Sequence, residues 1–151
     1  MKEHTYDLSE HLTQHFTLRE MLYSYTAQRL GMLNPIDSPA VVDNLRMLCQ
    51  QVLEPLRTAM NEPIIISSGY RSDCLNYVVG GSPNSQHRRG EAADIYCREE
   101  WQARFYYDFM RLHLPFDQLL LEHRKKNNAW WVHVSYTTRH ELRRDARLME
   151  L

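Results

Sequence analysis

Apolar residues recur at helical spacing through the first third of the chain. Leu18, Met21, Leu22 and Tyr25 share one face of a segment that opens on Thr17, with Glu20 three positions on. A threonine cap answered by a glutamate predicts a helix from residue 17 to about residue 30, with Gly31 as its stop. Ser38-Pro39 marks a second start, with serine as cap and proline in the first turn. Val41, Val42, Leu45, Leu48, Cys49, Val52, Leu53 and Leu56 then keep the helical period. Pro55 inside this run lacks an amide donor, which predicts a kink near residue 51.

The period then changes. Pro63-Ile64-Ile65-Ile66-Ser67 predicts a short buried strand, and residues 92–97, 116–121 and 130–136 predict three more. Lys125-Lys126-Asn127-Asn128 suits an exposed hairpin turn. Residues 99–112 read as a helix, with Trp101, Phe105 and Phe109 on one face. Residues 68–91 are rich in Gly, Ser and Asn, and an irregular stretch of that length is functional more often than not. Gly80 and Gly81 let it turn back, and Asn76 and Asn84 stabilise turns.

The flanks are polar. Residues 1–15 carry His4, His11 and His15 at spacings that complete no recognisable metal set, and read as a loosely held surface arm. Residues 138–151 are charged and read as a short helix, with Arg139, Arg143, Arg144 and Arg147 on a solvated face. Two helices followed by strands around one more helix give an α+β order with a small, mainly antiparallel sheet. One domain over residues 16–137 accounts for it.

Composition narrows the function classes. With 151 residues, 43% apolar and 25% charged, the chain is long and apolar enough to bury a core. A net charge of −1 argues against holding nucleic acid by bulk charge, and no recognition motif appears. There is no apolar run of membrane-spanning length and no signal core, so the expectation is a protein made in the cytoplasm without integral membrane association. Cys49, Cys74 and Cys97 form no CxxC pair and read as free thiols.

The chemistry gathers in the irregular stretch and one later strand. His87 sits near the end of the glycine-rich segment, and Asp94 follows in a strand that otherwise reads Ala92, Ala93, Ile95. A carboxylate there is costly to bury unless it is paired or bound to metal. His133 is likewise embedded in an apolar strand. Taken singly, each residue also suits a plain core role, as a hydrogen-bonded histidine or an ion-paired aspartate. Taken together, two histidines and a carboxylate bind zinc and leave a fourth position for water, whose pKa falls towards about 7.

These motifs resemble those of the D-Ala-D-Ala carboxypeptidase-like zinc peptidases, the M15 group. Ser85, His87, Gly90, Ala92 and Asp94 match its Ser-x-His-x-x-Gly-x-Ala-x-Asp signature. Residues 68–72 match its Ser-Gly-Tyr-Arg-Ser segment, and Trp131 and His133 its Trp-x-His. Phe16-Thr17-Leu18-Arg19-Glu20-Met21 and Val52-Leu53-Glu54-Pro55-Leu56-Arg57 resemble a branch that includes phage-associated proteins.

The resemblance implies the D-Ala-D-Ala carboxypeptidase/hedgehog-like fold and one zinc ion on His87, Asp94 and His133. It implies hydrolysis of a bacterial cell-wall (peptidoglycan) peptide bond involving a D-amino acid, by attack of zinc-bound water, as a carboxypeptidase or an endopeptidase. It implies a role for Arg71 near the substrate carbonyl or carboxylate, where a fixed guanidinium steadies an oxyanion. Ser85 and Gln86 either contact substrate or fix the loop. A wall substrate lies outside the cytoplasm, which implies phage-type release or carriage on a virion.

The chain departs from the group at the general base. Several branches carry an acidic residue three positions before the last histidine, where this chain has Trp130. The nearest candidate is Glu122, which lies beside the metal end of His133 if its strand pairs with residues 130–136. Asp117 is a weaker candidate, and His123 reads as exposed. The alternative is a zinc-containing wall-peptide-binding or structural module of a phage or wall assembly, without turnover.

Overall fold

The computed structural model describes residues 5–151, so His4 lies outside the described residues. Five strands form one sheet in the order β1 (Ile66–Ser68), β2 (Ala92–Cys97), β4 (Ala129–Ser135), β3 (Gln118–Arg124), β5 (Asp145–Glu150). Every pairing is antiparallel except β3 with β5. The fold is α+β, as the element order predicts.

Alternation along the strands decides which face is covered. Ala93, Ile95, Leu119, Leu121, Val132 and Val134 point from the sheet into one core. Helices α3 (Pro39–Leu48), α4 (Glu54–Met60) and α6 (Glu100–His113) supply the facing side, among them Leu45, Leu56, Tyr106 and Met110. The opposite alternation, beginning with Asp94 and His133, faces an open cleft.

The first predicted helix is two. α1 (Leu18–Leu22) ends in extended backbone at Tyr23, and α2 (Tyr25–Leu30) restarts at Ser24. The Ser24 hydroxyl accepts from the Ala27 amide, and its backbone bridges Ser68. A serine offering its own cap inside a helical pattern competes with the helix. The predicted kink before Pro55 takes a defined form. Cys49–Leu53 is a π-helical turn between α3 and α4, and the Glu54 amide reaches back to the Cys49 carbonyl. The widened turn absorbs the donor that Pro55 lacks.

Both flanks depart from expectation. The tail forms the strand β5, not a helix, because it pairs with the otherwise open edge of β3. Its arginines do not all face solvent: Arg139 pairs with buried Glu91 at 2.8 Å and Arg143 with buried Asp117 at 2.8 Å. The described part of the N-terminal arm is tied down. Leu12 and Phe16 enter the core, and the Leu18 and Arg19 amides donate to Glu10 and Leu8. His15 bonds Glu54 through its amide and its ring, both at 2.7 Å.

On α6, the aromatic face read from sequence divides, with only Phe109 packing against the core. Trp101 and Phe105 are exposed, while Ala103, Tyr106 and Met110 are buried. The long irregular stretch holds α5 (Asp73–Val78), capped by Ser72, and a 3-10 turn, Gln86–Arg89. Among the described residues, no helix is long and apolar enough to cross a membrane.

Candidate metal centre and active cleft

Strand register brings the three expected ligands together. Asp94 on β2 lies directly opposite His133 on β4, so their side chains share the open face. His87 comes from the 3-10 turn, which the Ser85 hydroxyl caps by accepting from the His87 amide at 3.2 Å. One ligand atom from each of His87, Asp94 and His133 lies within 4.8 Å of the others. Asp94 Oδ1 stands 2.9 Å from His133 Nδ1 and 3.4 Å from His87 Nε2.

The donor set fits a metal ion. His87 Nδ1 is 2.8 Å from the Gly69 carbonyl, which can only accept, so that nitrogen carries the proton. Burial pushes the His87 pKa down, keeping the imidazole neutral, although the Asp94 charge works the other way. Its Nε2 is then a bare lone pair aimed at a carboxylate oxygen. Burial pushes the Asp94 pKa up, but the two histidines more than offset it, and the carboxyl is held well below the usual range. Two acceptors facing each other across a buried gap call for a cation. An anchored imidazole beside an ionised carboxylate supplies the ligating forms.

Arg71 is fixed at the rim of this set. Its Nε donates to Ser68 Oγ at 3.1 Å, Nη1 to Asn76 Oδ1 at 3.3 Å and Nη2 to Asp94 Oδ2 at 3.5 Å. The backbone shape beneath it depends on glycine. A Cβ at Gly81 would lie 2.1 Å from Asn76 Oδ1 and 3.0 Å from Arg71 Nη1. Asn76 thus holds the guanidinium as well as the turn, which the sequence reading of it as a turn former missed.

Glu122 lies on the same face. His133 pairs with Leu120 on β3, and Glu122 stands one alternation further along, opposite Trp131. Burial and the Asp94 charge push its pKa up, partly offset by His133 and Arg71. The other candidates point elsewhere. Asp117 is fully buried and tied to Arg143. His123 stacks on Trp130 at 4.1 Å and bonds Asn128 and Glu150, so it is held by neighbours and not free in solvent.

Gln86 lines the cleft, but both ends of its amide are engaged. Nε2 donates to Asp117 at 3.1 Å and Glu91 at 3.3 Å, and Oε1 accepts from Arg143 at 3.4 Å. The tail arginines therefore close a network behind the turn that carries His87. The cleft as a whole measures about 1170 Å³ and runs from Gly80 and Gly81 past the metal set to Arg98 and Arg124.

The family profile described as Peptidase M15 matches residues 14–135 of this chain. The chain belongs to the M15 peptidase family. The match takes in the Arg71 segment, the His87 turn, Asp94, Glu122 and His133. Comparison with curated proteins gives no match. M15 peptidases are typically metal-dependent, in keeping with the His/Asp/His set found here.

Proposed function

We propose that this M15 chain is a zinc-dependent peptidase that hydrolyses a bacterial cell-wall peptide bond involving a D-amino acid. The observation that carries the reading is the convergence of His87, Asp94 and His133 on the floor of an open cleft, with Arg71 and Glu122 on its walls. His87 through Nε2, His133 through Nδ1 and an Asp94 oxygen would hold the ion. A zinc ion bound by three protein ligands supplies Lewis acidity, polarising a carbonyl and acidifying water.

The remaining work falls to the chain's own groups. Glu122, with a carboxyl pushed above its ordinary range, is suited to take a proton from the attacking water and return it to the leaving amine. Arg71, held by three acceptors, is positioned to steady the oxyanion as the carbonyl becomes tetrahedral, with little reorganisation. Ser85 and Gln86 position the His87 turn. Glu122 on the site face supplies a base despite Trp130, which favours turnover over a binding module. Wall peptides lie outside the cytoplasm, and phage-type release or carriage on a virion gives access to them.

Elemental analysis tests the centre first. About one zinc per chain in the parent, lost in H133A, is the expected result. A folded parent that takes up no added zinc refutes the site. Cleavage of D-amino-acid-containing wall peptides follows, with Glu122→Gln expected to cost about 10²- to 10⁴-fold in kcat while zinc is retained.

A further inference from the structure

The cleft continues well beyond the metal set, and its floor changes character in register. The first row across the sheet is Asp94, His133 and Leu120. The next is Tyr96, Trp131 and Glu122, where two aromatic residues stand side by side on the cleft face. Tyr96 is 49% exposed although it sits in the middle of a sheet face. One alternation further, Arg98 follows β2 and Arg124 ends β3 on either side of Ala129, and both line the cleft.

These two guanidiniums have no carboxylate of their own. Among the described residues neither makes an ion pair, and Arg124 lies over the Trp131 ring at 5.2 Å. The neighbouring acids have other partners: Glu99 the Trp101 indole, Glu100 Arg104, and Glu62, which shares a pocket with Arg98, the Tyr106 hydroxyl at 2.6 Å. The Leu151 carboxyl group, which also lines the cleft, accepts from the Lys125 amide at 3.1 Å. Exposed Lys125 and Lys126 follow in the adjoining turn and add positive potential. A pair of arginines flanking the end of an aromatic row is an arrangement that recognises a carboxylate.

We infer that Arg98 and Arg124, with Tyr96 and Trp131 as the platform leading to them, form a subsite for a carboxylate carried by the peptide substrate. The inference rests on the peptidase reading above. Two alternations along a strand span about 13 Å. An extended peptide covers that distance in about four residues. The substrate group bound there is therefore an acidic one about four residues from the bond that is cut. Glu122 sets the register as well, since it repels a carboxylate placed one row too early.

The test uses the full chain with zinc present, in an E122Q background that prevents turnover. The probes are two fluorescein-labelled, D-amino-acid-containing peptides, alike except for a side-chain carboxylate or its carboxamide four residues from the D-amino acid. Fluorescence anisotropy is expected to show about tenfold tighter binding of the acidic peptide, the sum of two exposed charge pairs. The preference weakens with added salt. It collapses towards one in R98Q/R124Q and turns towards a lysine-bearing peptide in R98E/R124E. Equal binding of the two peptides, no binding of either, or a preference unchanged in R98Q/R124Q overturns the subsite. Cleavage by the unsubstituted chain is read separately. If neither peptide is cut while the charge preference holds, the peptidase reading fails and the subsite stands.

Discussion

Replacing Arg143 with alanine isolates the contribution of the tail to the site. Asp117 is fully buried and accepts from the Arg143 amide at 2.8 Å, Nε at 3.1 Å, Nη2 at 2.8 Å and Gln86 Nε2 at 3.1 Å. The substitution removes two of these four bonds and, among the described residues, the one guanidinium that pairs with the carboxylate, leaving the His140 ring 3.9 Å away. Truncating one partner of a buried charge pair costs roughly 2–5 kcal/mol. Arg143 is itself half exposed, so water can enter the space it vacates, and the low end applies, about 2 kcal/mol. For a chain of this size that lowers Tm by about 4–8 °C.

The loss also carries a pH signature. Burial pushes the Asp117 pKa up, but the Arg143 bonds more than offset it and hold it below the usual carboxylate range. A depressed folded pKa contributes stability above the unfolded value, lost as pH falls through the folded one. The gap between parent and R143A should therefore be full at neutral pH and close as the solution is acidified below about pH 4. Urea denaturation of both proteins across that range is the assay. A double-mutant cycle with D117N should show coupling, since the two groups touch. A neutral-pH difference under about 0.5 kcal/mol, typical of an ordinary surface change, would refute the argument, as would a gap that ignores pH.

Other perturbations follow from the site. Gly81→Ala forces Asn76 and the Arg71 guanidinium apart, and kcat/KM on a wall peptide should fall by more than about tenfold with the circular dichroism spectrum unchanged, an orientation loss of the kind catalysis is sensitive to. Unchanged kinetics would remove Arg71 from the mechanism. Because binding to the folded state is linked to stability, free zinc at about a hundred times its Kd should stabilise the fold by about 2.7 kcal/mol in thermal melts, reversibly with a chelator. The same melt on His87→Ala should show no zinc response, and a retained response would place the ion elsewhere.

What the sequence disclosed, and what it hid, divides along physical lines. The alternation in residues 92–97 and 130–136 locates β2 and β4, and with them the register that joins Asp94 to His133. Glu122 was reachable by the same argument once β3 was paired with β4. The tail was not. Its charged residues carry no strand period, and β5 exists because β3 offers an edge. Arg139 and Arg143 looked solvated because their partners, Glu91 and Asp117, lie far away in sequence. Trp101 and Phe105 misled for the converse reason: both share a face of α6, but the core took Ala103, Tyr106 and Met110 instead.

The parallel pairing of β3 with β5 also bears on the order in which the molecule assembles. β3 carries Glu122 and is flanked by β4, its hairpin partner, and by β5, which joins it only after residues 136–144 have crossed over. During synthesis the hairpin can close early, whereas the second edge of β3 and the Arg143 clamp on Asp117 must wait for residues 143–150 to leave the ribosome. The hairpin that carries Glu122 and His133 can thus form before the edge strand that closes the sheet. Pulse-labelled hydrogen exchange during refolding should show β5 amides gaining protection after those of the β3–β4 hairpin; simultaneous protection would argue that the sheet forms in one step.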